Sequence, residues 1–323
     1  MDYNLSAFYD EKVVVVTGGS GYIGSALINK LQKYNCKITR TSRTTLNPID
    51  GVQDKILDLT SKESWVEIVS TADIIFHLAG NTSIAFAEEN IDDSLLSNLL
   101  PIVNLVYASK KLKRSPRVVY ASTATVYGMT DLHPVAEEVV PRPVSIYDLH
   151  KLYVEQHLTM ASNQGFLSVK SLRLANVYGP GPKSSSSDRG ILNLMINKAL
   201  RGEDLTIYGT GEYIRDYIYI DDVISTFLSA SIYINKFNGK HFVLGSGKGN
   251  TINDAIHLVG KLVTKKTGKK VFVQNIDMPK DMSKIEFRNF KAGIASLQKI
   301  GLCNNMLKID EGINKTIEYY KRK

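Results

Sequence analysis

The sequence predicts an α/β protein in which a doubly wound parallel sheet comes first and a smaller C-terminal domain follows. Over residues 1–175, apolar β-branched runs alternate with amphipathic helical stretches, which is typical of parallel strands joined by helices. After residue 176 the alternation gives way to the Gly-, Pro- and Ser-rich loop GPGPKSSSSDRG and a less regular region. We therefore expect a first domain over 1–175, joined by 216–245, and a second region that is mainly 176–323.

The predicted elements follow the chain in a regular order. The first strand is the continuous apolar run KVVVVTGG, expected to be buried on both faces, and the amphipathic helix SALINKLQKY follows it. Further strands are predicted at CKITRTS, DKILDL, ADIIFHLAG, RVVYAST and LSVKSLRLANVYG, with helices at 61–70, 90–113 and 145–164. Beyond them we predict a helix at 190–202, a strand at DLTIYG, a helix from DDVISTFLSASI and a strand at KHFVLG.

The composition narrows the class of protein. The 323 residues are 43% hydrophobic and 22% charged, as in ordinary globular proteins. Cys36 and Cys303 lie far apart without neighbours at metal-ligand spacing, so we expect no disulfide framework, no metal site and a cytoplasmic location. The N-terminus has no apolar stretch typical of a signal peptide, and no apolar run reaches the roughly 18 residues of a membrane span. We therefore expect no membrane partner.

The positive charge is concentrated in the second half of the chain. Residues 1–175 carry 17 Lys and Arg against 18 Asp and Glu, whereas residues 176–323 carry 23 against 14. A basic region can bind nucleic acid or a small anion, or its lysines can simply be solvated. Because no known nucleic-acid-binding motif is present, we expect no nucleic acid partner.

A glycine-rich turn follows the first predicted strand. TGGSGYIG contains Gly18, Gly21 and Gly24, with Tyr22 and Ile23 between the last two. Glycines in such a turn allow positive φ and let the backbone approach a pyrophosphate at the N-terminus of the next helix. Because the motif stands between a buried strand and an amphipathic helix, it indicates a Rossmann-like dinucleotide-binding site more strongly than glycines alone would.

The end of the second strand is expected to contact the adenosine ribose. An acidic residue there favours NAD, whereas an arginine can accommodate the 2′-phosphate of NADP. The sequence has Ser42 and Arg43 at this point, with Arg40 nearby and no acidic residue, so we favour NADP over NAD. Arg43 could instead face solvent while NAD is used. Asp58 and Leu59 would suit the adenine, although an Asp at a strand end is also common in turns.

The spacing Tyr-x-x-x-Lys, which places both side chains on one helix face, occurs three times. The pairs are Tyr107/Lys111, Tyr147/Lys151 and Tyr319/Lys323. Ser122 and Thr123 end the fifth strand at the sheet edge where such folds bind ligands. Tyr147 follows them closely enough for a loop and the start of the next helix, whereas Tyr107 precedes this strand and Tyr319 lies in the C-terminal tail. A nearby ammonium and an oxidised nicotinamide would favour the phenolate of Tyr147. Lowering a tyrosine pKa from about 10 to about 7 needs roughly 4 kcal/mol, which two cations in a partly desolvated pocket could supply.

With these motifs the chain resembles the extended short-chain dehydrogenase/reductases that act on nucleotide sugars, the epimerase/dehydratase/4-ketoreductase family. The resemblance covers nearly the whole chain. It rests on TGGSGYIG, HLAG (77–80), Asn98, STATVYG (122–128), YDLHK (147–151), LRLANVYGPG (172–181) and GTGEYIRDYIYIDDV (209–223).

The resemblance implies a role for each matching residue. Thr123 or Ser122 would hydrogen-bond the reacting sugar oxygen, Tyr147 would move its proton, and Lys151 would hold the nicotinamide ribose. Further cofactor contacts would come from Leu78, Ala79, Gly80 and Asn98. The substrate-binding residues in the smaller C-terminal region would be Asn176 and Arg215, which would face a nucleotide diphosphate. Asn176 could instead be a turn residue, and Arg215 could pair with Asp216 or Asp221.

The function this implies is NAD(P)-dependent oxidoreduction at C4 of a nucleotide-diphosphate sugar. Ala124 and Thr125 stand where the dehydratases of this group have an Asp-Glu pair, which argues against a 4,6-dehydratase. Because Ser42 replaces the acidic residue common in 4-epimerases, we favour a 4-keto sugar-nucleotide reductase and keep an NAD-dependent 4-epimerase as the alternative. A steroid or flavonoid reductase and a non-catalytic dinucleotide sensor are less favoured.

Further expectations concern two histidines, a possible dimer interface and a serine-rich loop. His77 is expected in the core and His150 away from the site. The helices at 90–113 and 145–164 could form a homodimer through their apolar faces or simply pack on the sheet. The serines 184–187 are expected to lie in a loop that orders when substrate binds.

Overall fold

The structure, a computed structural model, describes residues 4–182, 190–279, 282–303 and 305–322. Its centre is a seven-stranded parallel sheet with the order β10-β6-β5-β4-β1-β2-β3, which confirms the predicted Rossmann-like doubly wound fold. A three-stranded sheet has the order β11-β9-β7, and β12 pairs with β8. The strands are β1 Val13–Thr17, β2 Lys37–Ser42, β3 Val52–Ile56, β4 Ile74–His77, β5 Arg117–Thr123, β6 Ser168–Leu174, β7 Asn176–Tyr178, β8 Leu205–Tyr208, β9 Ile214–Tyr219, β10 His241–Leu244, β11 Gly249–Thr251 and β12 Val273–Ile276.

Helices cover both faces of the large sheet and form most of the C-terminal region. The α-helices are α1 Leu5–Tyr9, α2 Tyr22–Leu31, α3 Lys62–Thr71, α4 Ile84–Glu89, α5 Ile91–Asn98, α6 Leu100–Leu112, α7 Ile146–Asn163, α8 Ile191–Arg201, α9 Ile220–Ile232, α10 Ile252–Thr267, α11 Ala295–Lys299 and α12 Ile309–Lys321. Short 3₁₀ helices lie at Ala124–Tyr127, Ile234–Phe237 and Lys284–Phe287. Within the described ranges, none of these helices is long and apolar enough to cross a membrane.

The alternation of side chains along β1 explains the continuous apolar run in the sequence. Val14 and Val16 belong to one hydrophobic cluster, whereas Val15 belongs to a second cluster that includes Trp65 of α3. Successive residues of a strand point to opposite faces, so a strand covered by helices on both sides must be apolar at every position. The first cluster continues into the C-terminal region through residues such as Val259.

The predicted helix at 90–113 is two helices, α5 and α6, and the shorter α4 lies directly before them. α4 ends at Asn90, whose φ of −133° is not helical, and α5 begins directly after it. Pro101 lies in the first turn of α6, where its missing N–H is tolerated, and Leu99 joins α5 to α6. The sequence pattern showed the apolar stripe but not these changes of direction.

The predicted sixth strand divides at Ala175. β6 lies in the large sheet, whereas β7 pairs with β9 in the three-stranded sheet. The backbone N–H of Ala175 donates to the carbonyl of Leu244 in β10 over 2.9 Å, and the chain then leaves the large sheet. β10 is itself the edge strand of the large sheet and pairs with β6.

A lysine is buried in this part of the fold. Lys170 of β6 has no solvent exposure, its Nζ donates to the carbonyl of Tyr233 over 3.2 Å, and it lies 5.0 Å from the centre of the Phe242 ring. Burial, and next the nearby charge of Lys240, lower the pKa of Lys170 to about 7. The folded protein therefore loses a proton at a pH where the unfolded chain still binds it.

We expect Lys170→Met to stabilise the protein by an amount that depends on pH. Below about pH 7 the wild type must bury a charge, and this cost falls as pH rises from the folded pKa toward the unfolded value of about 10.4, with a limiting slope of about 1.4 kcal/mol per pH unit. Urea unfolding at pH 6, 7.5 and 9 should show the advantage of the Met variant shrinking with pH. The exposed Lys240, changed to Met, is the control, and a constant advantage of Lys170→Met would contradict the account.

Candidate functional site

The glycine turn between β1 and α2 has the geometry of a phosphate cradle. Gly18 has a φ of +68°, and a Cβ there would lie 2.8 Å from the backbone nitrogen of Ala79. A Cβ on Gly24 would collide with the carbonyl oxygen of Gly18. Gly21 is the N-cap of α2 and provides no side-chain cap. The turn therefore presents backbone and a helix N-terminus, which suits a dinucleotide pyrophosphate.

The helix after this turn is tied to the C-terminal region. The hydroxyl of Tyr22 donates to the carbonyl of Gly179 over 2.9 Å and accepts from Nδ2 of Asn193 at 3.1 Å. Oδ1 of Asn193 accepts the N–H of Gly179 at 2.9 Å, and burial strongly raises the pKa of Tyr22. Ile23 packs against the main hydrophobic cluster. Tyr22 therefore joins the predicted cofactor turn to the loop that follows β7.

The ribose end of the predicted cofactor site carries no acidic residue at the end of β2. The Ser42 hydroxyl is bonded within its own turn to Thr44, and Arg43 is exposed. Arg40 is buried and forms an ion pair with Asp54 through Nε at 2.6 Å. Arg43 is thus the candidate for a 2′-phosphate contact, and Arg40 instead fixes β2 to β3.

Asp58 and Leu59, which follow β3, form contacts within and next to their own turn. Asp58 is exposed, and its Oδ1 accepts from the backbone N–H and the hydroxyl of Thr60 at 2.9 and 2.8 Å. These hydrogen bonds lower the pKa of Asp58. The Leu59 side chain packs against the second hydrophobic cluster, and its carbonyl accepts from Trp65. This is the turn chemistry considered as the alternative for Asp58.

The segment after β4 is held against the glycine turn by a threonine. Oγ1 of Thr17 accepts the backbone N–H groups of Leu78 and Ala79 at 3.2 and 3.3 Å and lies 2.9 Å from Nδ1 of His77. His77 is buried and stacks on Tyr120, as expected for a core residue. Burial, and next the charge of Lys151, lower the pKa of His77 to about 3, which keeps the ring neutral at ordinary pH.

Asn98 lies against the same segment. Its Oδ1 would be 2.6 Å from a Cβ placed on Gly80, whose φ is +147°. Its Nδ2 donates to the carbonyl of Ser94 over 2.9 Å. Asn98 and the HLAG segment, which are some 20 residues apart in the sequence, thus lie together in the structure.

Tyr147 and Lys151 both lie buried on one face of α7. The side chain of Tyr147 is 4% exposed and belongs to a small apolar cluster with Ile84 of α4 and Ile285 of the C-terminal region. Nζ of Lys151 donates to the carbonyl of Ala121 over 2.8 Å. Lys151 is therefore fixed at the carboxyl end of β5, while Tyr147 lies beneath residues from both parts of the chain.

The tyrosines of the two other Tyr-x-x-x-Lys pairs lie elsewhere, on α6 and α12. Tyr107 of α6 is 39% exposed and contacts Lys62 and Lys111 by cation–π interactions. Tyr319 lies on α12, and Lys323 is outside the described residues. Burial beside the end of β5 thus distinguishes the pair at 147 and 151.

The two hydroxyls at the end of β5 have different partners. Ser122 donates to the Glu155 carboxylate, which Arg173 also binds, with Nη2 and Oε2 2.6 Å apart. Thr123 lies 2.7 Å from the hydroxyl of Thr125. Because Ser122 is committed to a buried ion pair, Thr123 is the better candidate for contact with a substrate oxygen.

The predicted substrate residues meet on the three-stranded sheet. Asn176 of β7 pairs in register with Tyr217 of β9, so Asn176, Tyr217 and Arg215 share a face. Burial raises the pKa of Tyr217 to about 12, and the charges of Arg215 and Arg288 oppose the rise. Arg288 was missed because IEFRNF has no recognisable motif.

The guanidinium of Arg215 binds groups of the segment around 286–288. It is 3% exposed and donates to the carbonyls of Glu286 and Arg288, and it lies 3.4 Å from the Glu286 carboxylate. Among the described residues, these partners differ from the pairing with Asp216 or Asp221 that was considered as the alternative role of Arg215. The physical reason is that the segment around 285–288 packs over β9, which sequence spacing could not reveal.

Two further expectations can be compared with the structure. Nδ1 of His150 lies 3.0 Å from the hydroxyl of Ser94, and the residue is buried between α7 and α5, which agrees with its expected place away from the site. The serines 184–187 lie outside the described residues. Within the described ranges, no group of His, Cys, Asp or Glu is arranged to hold a metal ion.

The sequence model of the NAD dependent epimerase/dehydratase family matches residues 14–245. The chain belongs to this family. The match includes the glycine turn, the HLAG segment, Thr123 and the pair formed by Tyr147 and Lys151, and it ends at the edge strand of the large sheet.

Relatives with different reactions are about equally similar to the chain. UDP-glucuronic acid decarboxylase 1 of Xenopus tropicalis is 26% identical over 97% of this chain and 73% of its own length. The dTDP-4-dehydro-6-deoxyglucose reductase of Escherichia coli is 27% identical over 78% of this chain and 82% of its own. The UDP-glucose 4-epimerase of Thermotoga maritima, solved with UDP-glucose, is 26% identical with a TM-score of 0.84, covering 96% and 99% of the two chains. The chain is thus a member of an enzyme family of epimerases, decarboxylases and reductases of nucleotide sugars.

We expect Gly18→Ala to abolish dinucleotide binding. The new Cβ would meet the backbone of Ala79, which cannot move aside as a flexible side chain could, in addition to the strain of a positive φ. Gly51→Ala is a matched control, since Gly51 has a φ of +70° and nothing within 4 Å of its Cβ position. Fluorescence titration with NADPH and NADH should show that binding is lost only in Gly18→Ala. Equal binding by both variants would contradict the proposal that this turn binds the phosphates of a dinucleotide.

Proposed function

We propose that this protein catalyses hydride transfer between a nicotinamide dinucleotide and C4 of a nucleotide-diphosphate sugar, most specifically as a 4-keto sugar-nucleotide reductase. The observation that carries the proposal is the buried pair of Tyr147 and Lys151 beside Thr123 at the carboxyl end of β5. The glycine turn of the same sheet edge supports a dinucleotide, because its shape requires the absence of Cβ atoms.

The chain's own residues would handle binding and the proton. A bound dinucleotide would supply the nicotinamide that donates or accepts the hydride. Tyr147 would give its phenolic proton to the C4 oxygen during reduction and take that proton during oxidation. Lys151, held by the Ala121 carbonyl, would contribute a positive charge that favours the phenolate and a donor for the nicotinamide ribose.

The basic C-terminal region would bind the diphosphate. Arg215 donates to the backbone carbonyl of Arg288, and Asn176 is on the same sheet face as Arg215 and Tyr217. Arg215 would have to exchange its carbonyl partners for phosphate oxygens, which form stronger charge-assisted hydrogen bonds with a guanidinium. Arg288 would therefore be the second cation of the diphosphate site.

NADP is the cofactor we propose, because β2 ends in Ser42 and the exposed Arg43 rather than in an acidic residue. An NAD-dependent 4-epimerase is the second candidate, favoured by the description of the family as NAD dependent and by the similarity to the Thermotoga maritima epimerase. The two differ in how they use the cofactor. A reductase exchanges it at each turnover, whereas an epimerase retains it.

The test is to denature the purified protein, identify any released dinucleotide, and titrate the empty protein with NADPH and NADH. A reductase should contain no dinucleotide as purified and should prefer NADPH. Arg43→Ser should weaken the binding of NADPH without changing the binding of NADH. Stoichiometric, retained NAD would support the 4-epimerase and contradict our interpretation of Ser42 and Arg43.

We also propose a homodimer formed by α5, α6 and α7. Large apolar side chains on these helices are more than a third exposed: Leu96, Val103, Tyr107, Tyr153 and Met160. The three helices contact one another, and exposed apolar side chains on neighbouring helices are typical of an interface. Light scattering after size-exclusion chromatography should give twice the monomer mass for the wild type. The Val103→Lys variant should have the mass of one monomer. A monomeric wild type would contradict the interface.

A further inference from the structure

A buried chain of hydroxyls runs from Thr123 to a carboxylate. Oγ1 of Thr123 lies 2.7 Å from Oγ1 of Thr125, which in turn donates to Oδ1 of Asp148. Oδ2 of Asp148 accepts from the hydroxyl of Ser145 at 2.7 Å. Asp148 has no solvent exposure, and the three hydroxyl residues are at most 7% exposed. The network thus lies within the protein, directly behind the candidate substrate contact.

The number of hydroxyl protons determines which atom donates in each hydrogen bond of this network. A hydroxyl has one proton to donate, and the Asp148 carboxylate accepts in its hydrogen bonds with Thr125 and Ser145. The Ser145 oxygen accepts the backbone N–H of Asp148 at 3.2 Å, so its own proton goes to the carboxylate. The proton of Thr125 also goes to Asp148, and the proton between the two threonines must therefore come from Thr123.

Thr123 is then left as an acceptor. Its oxygen already accepts the backbone N–H of Thr125 at 3.2 Å, and its proton is directed to the Thr125 hydroxyl. One acceptor position remains for a substrate. An alcohol can donate a hydrogen bond to that position, but a ketone cannot, because both partners would present lone pairs.

We propose that Asp148 and Thr125 are positioning residues that hold Thr123 as a hydrogen-bond acceptor, so that the site binds the C4 alcohol in preference to the C4 ketone. This inference rests on the proposed C4 chemistry. It adds that the equilibrium on the enzyme is drawn toward the alcohol, which is the product of a reductase and both the substrate and the product of an epimerase. In both cases the equilibrium between bound ketone and bound alcohol would lie toward the alcohol.

The test compares Thr125→Val, which keeps the shape and loses the hydroxyl, with Thr125→Ser, which keeps the hydroxyl. The probes are UDP-glucose, a C4 alcohol, measured with NADPH, and dTDP-4-dehydro-6-deoxyglucose, a C4 ketone, measured with NADP⁺. Neither combination can react, so calorimetry reports binding alone. We expect the ratio of alcohol to ketone affinity to fall about tenfold in Thr125→Val, relative to wild type, and to stay unchanged in Thr125→Ser.

Other outcomes would overturn the inference. If Thr125 had only a structural role, Thr125→Val would weaken the binding of both probes by the same factor, or Thr125→Ser would change the affinity ratio as much as Thr125→Val does. Thr125→Ala, which also lacks the hydroxyl, replaces the Val variant if that protein fails to fold. A wild type that binds neither probe and transfers no hydride to the ketone from NADPH or NADH would instead contradict the proposed function, and the inference would fail with it.

Discussion

Replacing Tyr147 by Phe is expected to lower kcat by about 10²- to 10⁴-fold, the usual contribution of a positioned acid or base. The phenyl ring can keep the apolar contacts with Ile84 and Ile285, so folding and dinucleotide binding should be retained. Only the proton-carrying hydroxyl is removed. Steady-state assays with dTDP-4-dehydro-6-deoxyglucose, together with NADPH titration, separate the loss of chemistry from the loss of binding.

The chain provides matched controls for this variant. Tyr107→Phe and Tyr319→Phe make the same chemical change in the two other Tyr-x-x-x-Lys pairs, neither of which lies beside the end of β5. Both should retain activity close to wild type. If Tyr147→Phe were as active as these controls, Tyr147 would not be the proton carrier.

The second large effect concerns the stability of the strand that carries Thr123. Arg173 of β6 and Glu155 of α7 are 2% and 5% exposed, and Arg173 donates to both carboxylate oxygens. Ser122 donates to the same carboxylate. Arg173→Met should cost about 3–5 kcal/mol in the free energy of unfolding, because it leaves the Glu155 charge buried without its partner.

Replacing both members of this pair should restore much of that stability. A buried ion pair contributes little compared with apolar residues of similar volume, so Arg173→Met combined with Glu155→Leu should be much more stable than Arg173→Met alone. Arg201→Met, which breaks the exposed pair with Glu203, is the surface control and should change stability little. Chemical unfolding of the four proteins measures this, and a double variant as unstable as Arg173→Met would contradict the account.

Features that depend on local spacing could be predicted from the sequence. The fold class followed from the alternation of strands and helices, and it is confirmed by the seven-stranded parallel sheet. The glycine turn could be recognised because its residues are consecutive and lie between a strand and a helix. The pair of Tyr147 and Lys151 could be selected because the helical period and the end of β5 both favour it.

Features that depend on distant parts of the chain could not be predicted. The partners of Arg215 lie some 70 residues further on, and no motif announces them. The contact of Thr125 with Asp148 depends on how α7 packs against the end of β5, and Ser122 and Thr123 could not be ranked without Glu155. The break between α5 and α6 was hidden because the apolar pattern of the predicted helix at 90–113 continues across Pro101.

The most direct test of the central claim is isotope transfer to the sugar. The full-length protein would be incubated with dTDP-4-dehydro-6-deoxyglucose and NADPH or NADH carrying deuterium on the nicotinamide, and the product examined by NMR and mass spectrometry. Our account predicts one deuterium, located at C4, and its loss in Tyr147→Phe. Deuterium at another carbon, or a reduced product without deuterium at C4, would contradict hydride transfer at C4.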